Sequence, residues 1–296
     1  MRIRGTIHMI ELDHKIIGIE VYKRIKFLYF QNSQMNLFKR YLYQGNWIDL
    51  EYDDSRTVRK GAYDAYVISY VYTIEALGRL DRVIYYDKLN LNKSLSKFLA
   101  NLDNTMFLDL EMTMPSYSFK GKGFKTELIQ AGILVIDKNG EELCRYSNYI
   151  KPKIATELSK RVEDFLGITS EEFFSRAINY KDFYNDFKEI IVKYNPAIVV
   201  YGKNDIIVLN QSYDINGVPS LKHETRFVNL CQLIKTYYEL RNDPGLFKLF
   251  KLYYDIDDVQ VHDAFNDCEV TSKVFQAFRD DINYKTKGAI IRRELD

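Results

Sequence analysis

The stretch that most constrains this chain is Met106-Phe107-Leu108-Asp109-Leu110-Glu111-Met112-Thr113, an apolar run that takes up two carboxylates one residue apart. A short apolar run of this kind predicts a buried strand. Side chains alternate along a strand, so Asp109 and Glu111 fall on the same side. Two acids on one side of a buried strand repel each other and lose hydration, and a cation between them removes that cost. Oxygen ligands of this kind suit Mg²⁺ or Mn²⁺. A pair like this is more often solvated than liganded, so the remaining ligands must be sought along the chain.

Downstream of the pair, Glu127 to Asp137 reads as a second strand. A Lys-Asn-Gly-Glu turn at 138–141 joins it to a third, Leu143 to Ile150. Helical spacing follows at Leu158, Val162, Phe165 and Leu166, and again at Phe183, Phe187, Ile190, Ile191 and Tyr194. The run 197–201 is a short strand between Pro196 and Gly202. Asn204 is placed to cap a helix that begins with Asp205. A further strand is expected at 227–230, then a helix to about Leu240 and a last helix over 263–280. The order is that of a mixed α/β sheet with helices on its faces. Asp205 lies just past the end of a strand, where ligands collect in such sheets. Asp267 lies one turn into the last helix, which His262 opens. Asp263 is a rival to Asp267, because the two are one turn apart on one face.

Residues 1–103 read differently. Five short strands, rich in Ile, Val, Tyr and Phe, are expected at 5–10, 15–22, 25–30, 47–52 and 65–75, enough for a small all-β barrel. Although the whole chain of 296 residues has a net charge of +1, residues 1–95 carry 15 Lys/Arg against 11 Asp/Glu. Between Val21 and Ile48 the basic residues, Lys23, Arg24 and Lys26 among them, are interleaved with aromatics that include Phe27, Tyr29 and Phe30, which supplies cations for phosphates and rings for bases. The same rings would also fill a barrel core. A connection follows at 81–103, with Ser94 placed to cap a short helix. Three cysteines without close spacing fit a reducing, cytoplasmic setting and no structural zinc site. No apolar run is long enough to span a membrane.

The pieces together resemble the DEDDh 3′→5′ exonucleases: Asp-x-Glu on a first strand, an Asp after the fourth, and His-x-Ala-x-x-Asp on the last helix. Asp109-Leu110-Glu111-Met112-Thr113, Leu166-Gly167-Ile168-Thr169, Tyr201-Gly202-Lys203-Asn204-Asp205 and Phe227-Val228-Asn229-Leu230 resemble the ERI and KapD branch. Asn204 stands where many relatives have an aromatic. The resemblance implies a ribonuclease H-like mixed sheet over 104–282 and a short tail at 283–296. The front segment 1–80 resembles a cold-shock or S1-like OB barrel, with Ile16, Ile17 and Ile19 where a cold-shock domain has aromatics.

The resemblance also implies a site. Asp109, Glu111, Asp205 and Asp267 would hold two Mg²⁺ or Mn²⁺ ions, and His262 would be the general base. Met112 and Thr113 would meet the terminal nucleotide, or pack and cap the turn. Asn204 would border the nucleotide pocket. The expected partner is single-stranded nucleic acid, RNA favoured over DNA. A DNA exonuclease and a binding protein with a vestigial site are the alternatives, and the front barrel has a protein partner as its own alternative.

Overall fold

The computed structural model describes residues 1–77, 82–121, 123–240, 242–256, 263–284 and 287–295. They form two units, Met1–Lys97 and Phe98–Asp296.

The first unit is built on β1 (Arg2–Glu11), β2 (Ile16–Val21), β3 (Arg24–Tyr29), β4 (Trp47–Lys60) and β5 (Tyr63–Leu77), with helix α1 (Asn32–Phe38) between β3 and β4. β1 pairs antiparallel with β2 and β4, and β5 pairs antiparallel with β4. A parallel contact between β3 and β5, Leu28 to Tyr66 and Tyr29 to Val67, closes the five strands into the expected barrel. Ile17, Ile19, Leu28, Ile48, Leu50 and Ile68 fill its interior. The isoleucines standing where a cold-shock domain carries rings are therefore core residues, as are Phe30 and Phe38, both fully buried.

Two boundaries differ from expectation. The stretch read as a connection holds a sixth strand, β6 (Arg82–Asp87), paired to β5. It is followed by α2 (Lys88–Ala100), so Ser94 lies inside a helix and caps nothing. The segment reads poorly because its apolar residues are exposed, Val83 and Ile84 among them.

The second unit is a five-stranded sheet in the order β11-β10-β7-β8-β9. β7 (Thr105–Met112), β8 (Leu128–Ile136) and β9 (Glu142–Tyr149) are the antiparallel meander. β10 (Ala197–Val200) joins β7 in parallel, and β11 (Arg226–Asn229) joins β10. Three helices separate β9 from β10: α3 (Lys160–Leu166), α4 (Ser170–Arg176) and α5 (Tyr180–Tyr194). After β10 come α6 (Asn204–Asn216), α7 (Leu230–Tyr238), α8 (Leu246–Tyr254), α9 (Ala264–Tyr284) and α10 (Gly288–Leu295). The tail is thus helical at its end, with Ile291 fully buried. Helices cover both faces of the sheet, and every residue of β8 is buried. Met106, Leu108 and Leu110 cluster with Phe183 and Phe187 of α5 and Leu209 of α6. Phe107 faces the other way, against Phe275 of α9 with ring centroids 5.5 Å apart. By alternation, Asp109 and Glu111 belong to the α9 side. Among the described residues no helix is long and apolar enough to cross a membrane.

Candidate active site

At the carboxyl end of β7 the structure brings together Asp109, Glu111 and Asp267. One oxygen from each lies within 4.8 Å of the others. Asp205 joins them through the backbone: its Oδ1 accepts from the Leu110 N–H at 3.1 Å. Asp205 stands in the first turn of α6, whose N-cap is Lys203. Asn204 is therefore the first helical residue and not the cap, and its side chain is exposed. Gly202, at φ 116°, turns the chain out of β10 just ahead of that helix.

Asp267 owes its position to how α9 starts. Asp263 lies just ahead of the helix, and its Oδ1 accepts from the N–H groups of Phe265 and Asn266 at 3.1 and 3.0 Å. Its Oδ2 accepts from Gln130 Nε2 at 2.7 Å. Both oxygens of the rival ligand are thus engaged in seating the helix. One turn on, Asp267 is buried, and its Oδ1 has no hydrogen-bond partner. Gln130 Oε1 is likewise buried and unpartnered. Cys268 fixes the same turn from below, donating to the carbonyls of Gly132 at 3.0 Å and Phe107 at 3.4 Å.

The electrostatics are those of a cation site. Burial, then the charges of Asp205, Glu111 and Asp267, push Asp109 well above the usual carboxylate range. Burial with the charges of Asp267 and Asp205 raises Glu111 to about 8. Burial raises Asp205 to about 6 against the opposing hydrogen bond from Leu110. Asp267 is also held at about 6 by burial, with Asp263 and Asp205 adding to it. None of the four acids makes an ion pair with a lysine or arginine among the described residues. Converging buried carboxylates, one with an orphaned oxygen, fit divalent cations held by oxygen.

The other expected residues scatter. Met112 is half-buried against the core of the sheet. Thr113 is buried, and its Oγ1 accepts from the Glu127 N–H at 2.8 Å, which closes the strand pair beyond Met112. His262 lies outside the described residues. In the barrel unit, Phe30 is fully buried against Phe38 and is not available to a ligand. Tyr29 lies under Lys60 at 5.5 Å, Arg24, Lys26 and Phe27 line a cleft, and Lys23 is exposed. Glu127 gave no sign in sequence. It is buried, and its carboxylate accepts from the backbone N–H groups of Lys153, Ile154 and Ala155 at 2.6–3.1 Å.

Comparison with known proteins agrees with this geometry. The profile of the exonuclease (RNase T) family matches residues 106–275, which holds all four acids. The chain belongs to that family. It is 30% identical over 197 residues to the probable 3′-5′ exonuclease KapD of Bacillus subtilis (strain 168), covering 66% of this chain and 94% of that protein. Two solved structures share the fold. The nuclease domain of 3′hExo, a DEDDh family member bound to rAMP, superposes with a TM-score of 0.52 at 18% identity, covering 61% of this chain and 94% of that one. Cell-death related nuclease 4 (CRN-4) does so with a TM-score of 0.52 at 19% identity, covering 63% and 66%. With its acids in this order, the chain is a 3′-5′ exonuclease of the DEDDh type. Such enzymes use two divalent metal ions, and the acidic cluster fits them.

Proposed function

We propose that the protein removes nucleotides from the 3′ end of single-stranded RNA, with Asp109, Glu111, Asp205 and Asp267 holding two Mg²⁺ or Mn²⁺ ions and His262 as general base. The observation that carries this reading is the convergence of Asp109, Glu111 and Asp267 within 4.8 Å, unbalanced by any protein cation among the described residues. Bound there, the ions supply charge to offset the phosphate and acidify a water. The remaining work falls to the chain. The four acids fix where the scissile phosphate sits. His262, next in sequence to the Asp263 that seats α9, takes the proton of the attacking water, since an imidazole titrates near neutrality. Attack on phosphorus breaks the bond to the 3′-oxygen, releases a 5′-mononucleotide and leaves a new 3′-hydroxyl.

RNA is favoured over DNA because the resemblance is to the ERI and KapD branch, and because the superposing 3′hExo domain is bound to rAMP. The test is digestion of 5′-end-labelled single-stranded RNA and DNA of one sequence with Mg²⁺ or Mn²⁺, alongside Asp109→Ala. Stepwise shortening of RNA that the variant lacks is expected. Shortening of DNA alone would overturn the substrate. Intact substrates with binding retained would point to a vestigial site.

A further inference from the structure

The barrel unit lies outside the stretch matched by the exonuclease profile, so its role must be read from its own surface. Its β2–β3 hairpin is unusual. Val21 pairs with Arg24, which leaves Tyr22 and Lys23 as a two-residue turn. Both are left-handed, with φ of 51° and 63°. A turn of this hand favours Asn-Gly, because Cβ atoms are disfavoured there. Tyr22 is nevertheless 96% exposed and makes no ring or hydrogen-bond contact among the described residues. Folding gains nothing from a large ring in a strained turn facing solvent. Lys23 and Arg24 beside it are exposed and form no ion pair among the described residues.

Behind this tip the barrel opens into a cleft of about 470 Å³ lined in part by Arg24, Lys26, Phe27, Tyr66 and Asp64. Lys26 points into it. Its Nζ donates to Tyr52 Oη at 2.6 Å and lies 4.5 and 4.9 Å from the rings of Tyr52 and Tyr66, with donors to spare. Arg2 also reaches the cleft, but Asp49 takes its charge through two hydrogen bonds. Apart from Arg2, two cations (Arg24 and Lys26) and three rings (Phe27, Tyr52 and Tyr66) thus line the cleft against one acid, Asp64, among the described residues.

We infer that this hairpin tip and cleft bind single-stranded nucleic acid: Tyr22 stacks on a base, Lys23 and Arg24 meet the flanking phosphates, and the cleft takes a neighbouring nucleotide beside Lys26. Rings and cations side by side along one hairpin are what a backbone with exposed bases requires. The choice of occupant rests on the reading of the C-terminal unit as a nuclease of single strands.

The test uses the full chain in EDTA, with binding of a fluorescein-labelled single-stranded RNA 20-mer followed by anisotropy. The variant Y22N/K23G installs the favoured turn. Its unfolding temperature should hold or rise while the dissociation constant increases by roughly tenfold, as loss of one stacking ring predicts. In K23Q/R24Q the slope of log affinity against log salt should become shallower by about 1.4, for two phosphate contacts. Unchanged binding in both variants would overturn the inference and leave a protein partner as the occupant. A fall in unfolding temperature with the loss of binding in Y22N/K23G would overturn it as well, by making the turn structural. Hydrolysis of a dinucleotide should be the same in parent and variants. A parent that binds the 20-mer but cuts nothing would count against the nuclease reading alone.

Discussion

Gly132 is where the seat of the active site can be tested without touching a ligand. It lies in β8 opposite Asp109, under the first turn of α9. A Cβ there would stand 2.3 Å from the carbonyl oxygen of Ala264, 2.4 Å from its carbon and 2.5 Å from the nitrogen of Phe265. All three are backbone atoms, so no side chain can swing aside. Relaxed carbon contacts need about 3.5 Å, so in Gly132→Ala the start of α9 must retreat by about 1 Å. Asp267 rides on that turn and moves with it, away from Asp109 and Glu111. Overpacking of this kind costs about 1–3 kcal/mol, or roughly 3–10 °C in the unfolding temperature of a unit this size. A misplacement of about 1 Å lowers turnover on the order of 100-fold. The assay is metal-dependent mononucleotide release at saturating substrate, with thermal unfolding of the same samples. Full activity and an unchanged unfolding temperature would refute the close seating of α9 on β8. Lost stability with unchanged turnover would refute the link between that seat and the ligand Asp267.

Two other perturbations follow from the same geometry. In the metal-free protein Glu111 is raised to about 8, Asp205 and Asp267 to about 6, and Asp109 also upward, so the folded state keeps protons that the unfolded chain releases near pH 4. Stability should therefore be fullest below about pH 4 and fall as pH rises through about 6 to 8, and stabilisation by Mg²⁺ or Mn²⁺ should grow over the same window. Thermal unfolding with EDTA or metal across that range checks this, and a metal-free protein that gains stability from pH 6 to 8 would contradict it. Glu127→Gln turns an NH₂ toward the N–H groups of 153–155, leaving a buried donor unpaired, and should cost about 1–3 kcal/mol. Denaturant unfolding measures it, and a variant as stable as the parent would show that the carboxylate does not anchor this loop.

The acidic cluster was legible in sequence for a local reason. Strand alternation alone puts Asp109 and Glu111 on one side, and the structure places that side under α9. Helical periodicity could not separate Asp263 from Asp267, since four residues make one turn, and only the His-x-Ala-x-x-Asp spacing of the resemblance selects Asp267. What separates them is that Asp263 stands ahead of the helix and spends its oxygens on the Phe265 and Asn266 N–H groups and on Gln130, a contact across 133 residues. Gly132 and Glu127 were illegible for a similar reason, because their partners arrive from distant segments. In the barrel, neighbouring cations and rings drew attention to this hairpin but not to which of its rings are free. Phe30 points into the core, and Tyr22, in the turn beside Lys23, is the ring that stands clear.

The site is held in shape by contacts that leave its charges unspent. Asp205 is tied to β7 through the Leu110 N–H, and α9 is tied to β7 and β8 through the Cys268 thiol on two carbonyls. The helix start is fixed by Asp263 and Gln130. None of these bonds brings a positive charge to the four acids. The repulsion among them is therefore opposed by packing and by neutral donors alone: burial raises all four, and like charge adds to it at Asp109, Glu111 and Asp267. A site assembled for stability would place a lysine or arginine there, or an apolar side chain of equal volume. One that keeps Asp267 Oδ1 buried and unpartnered retains an acceptor placed for a cation.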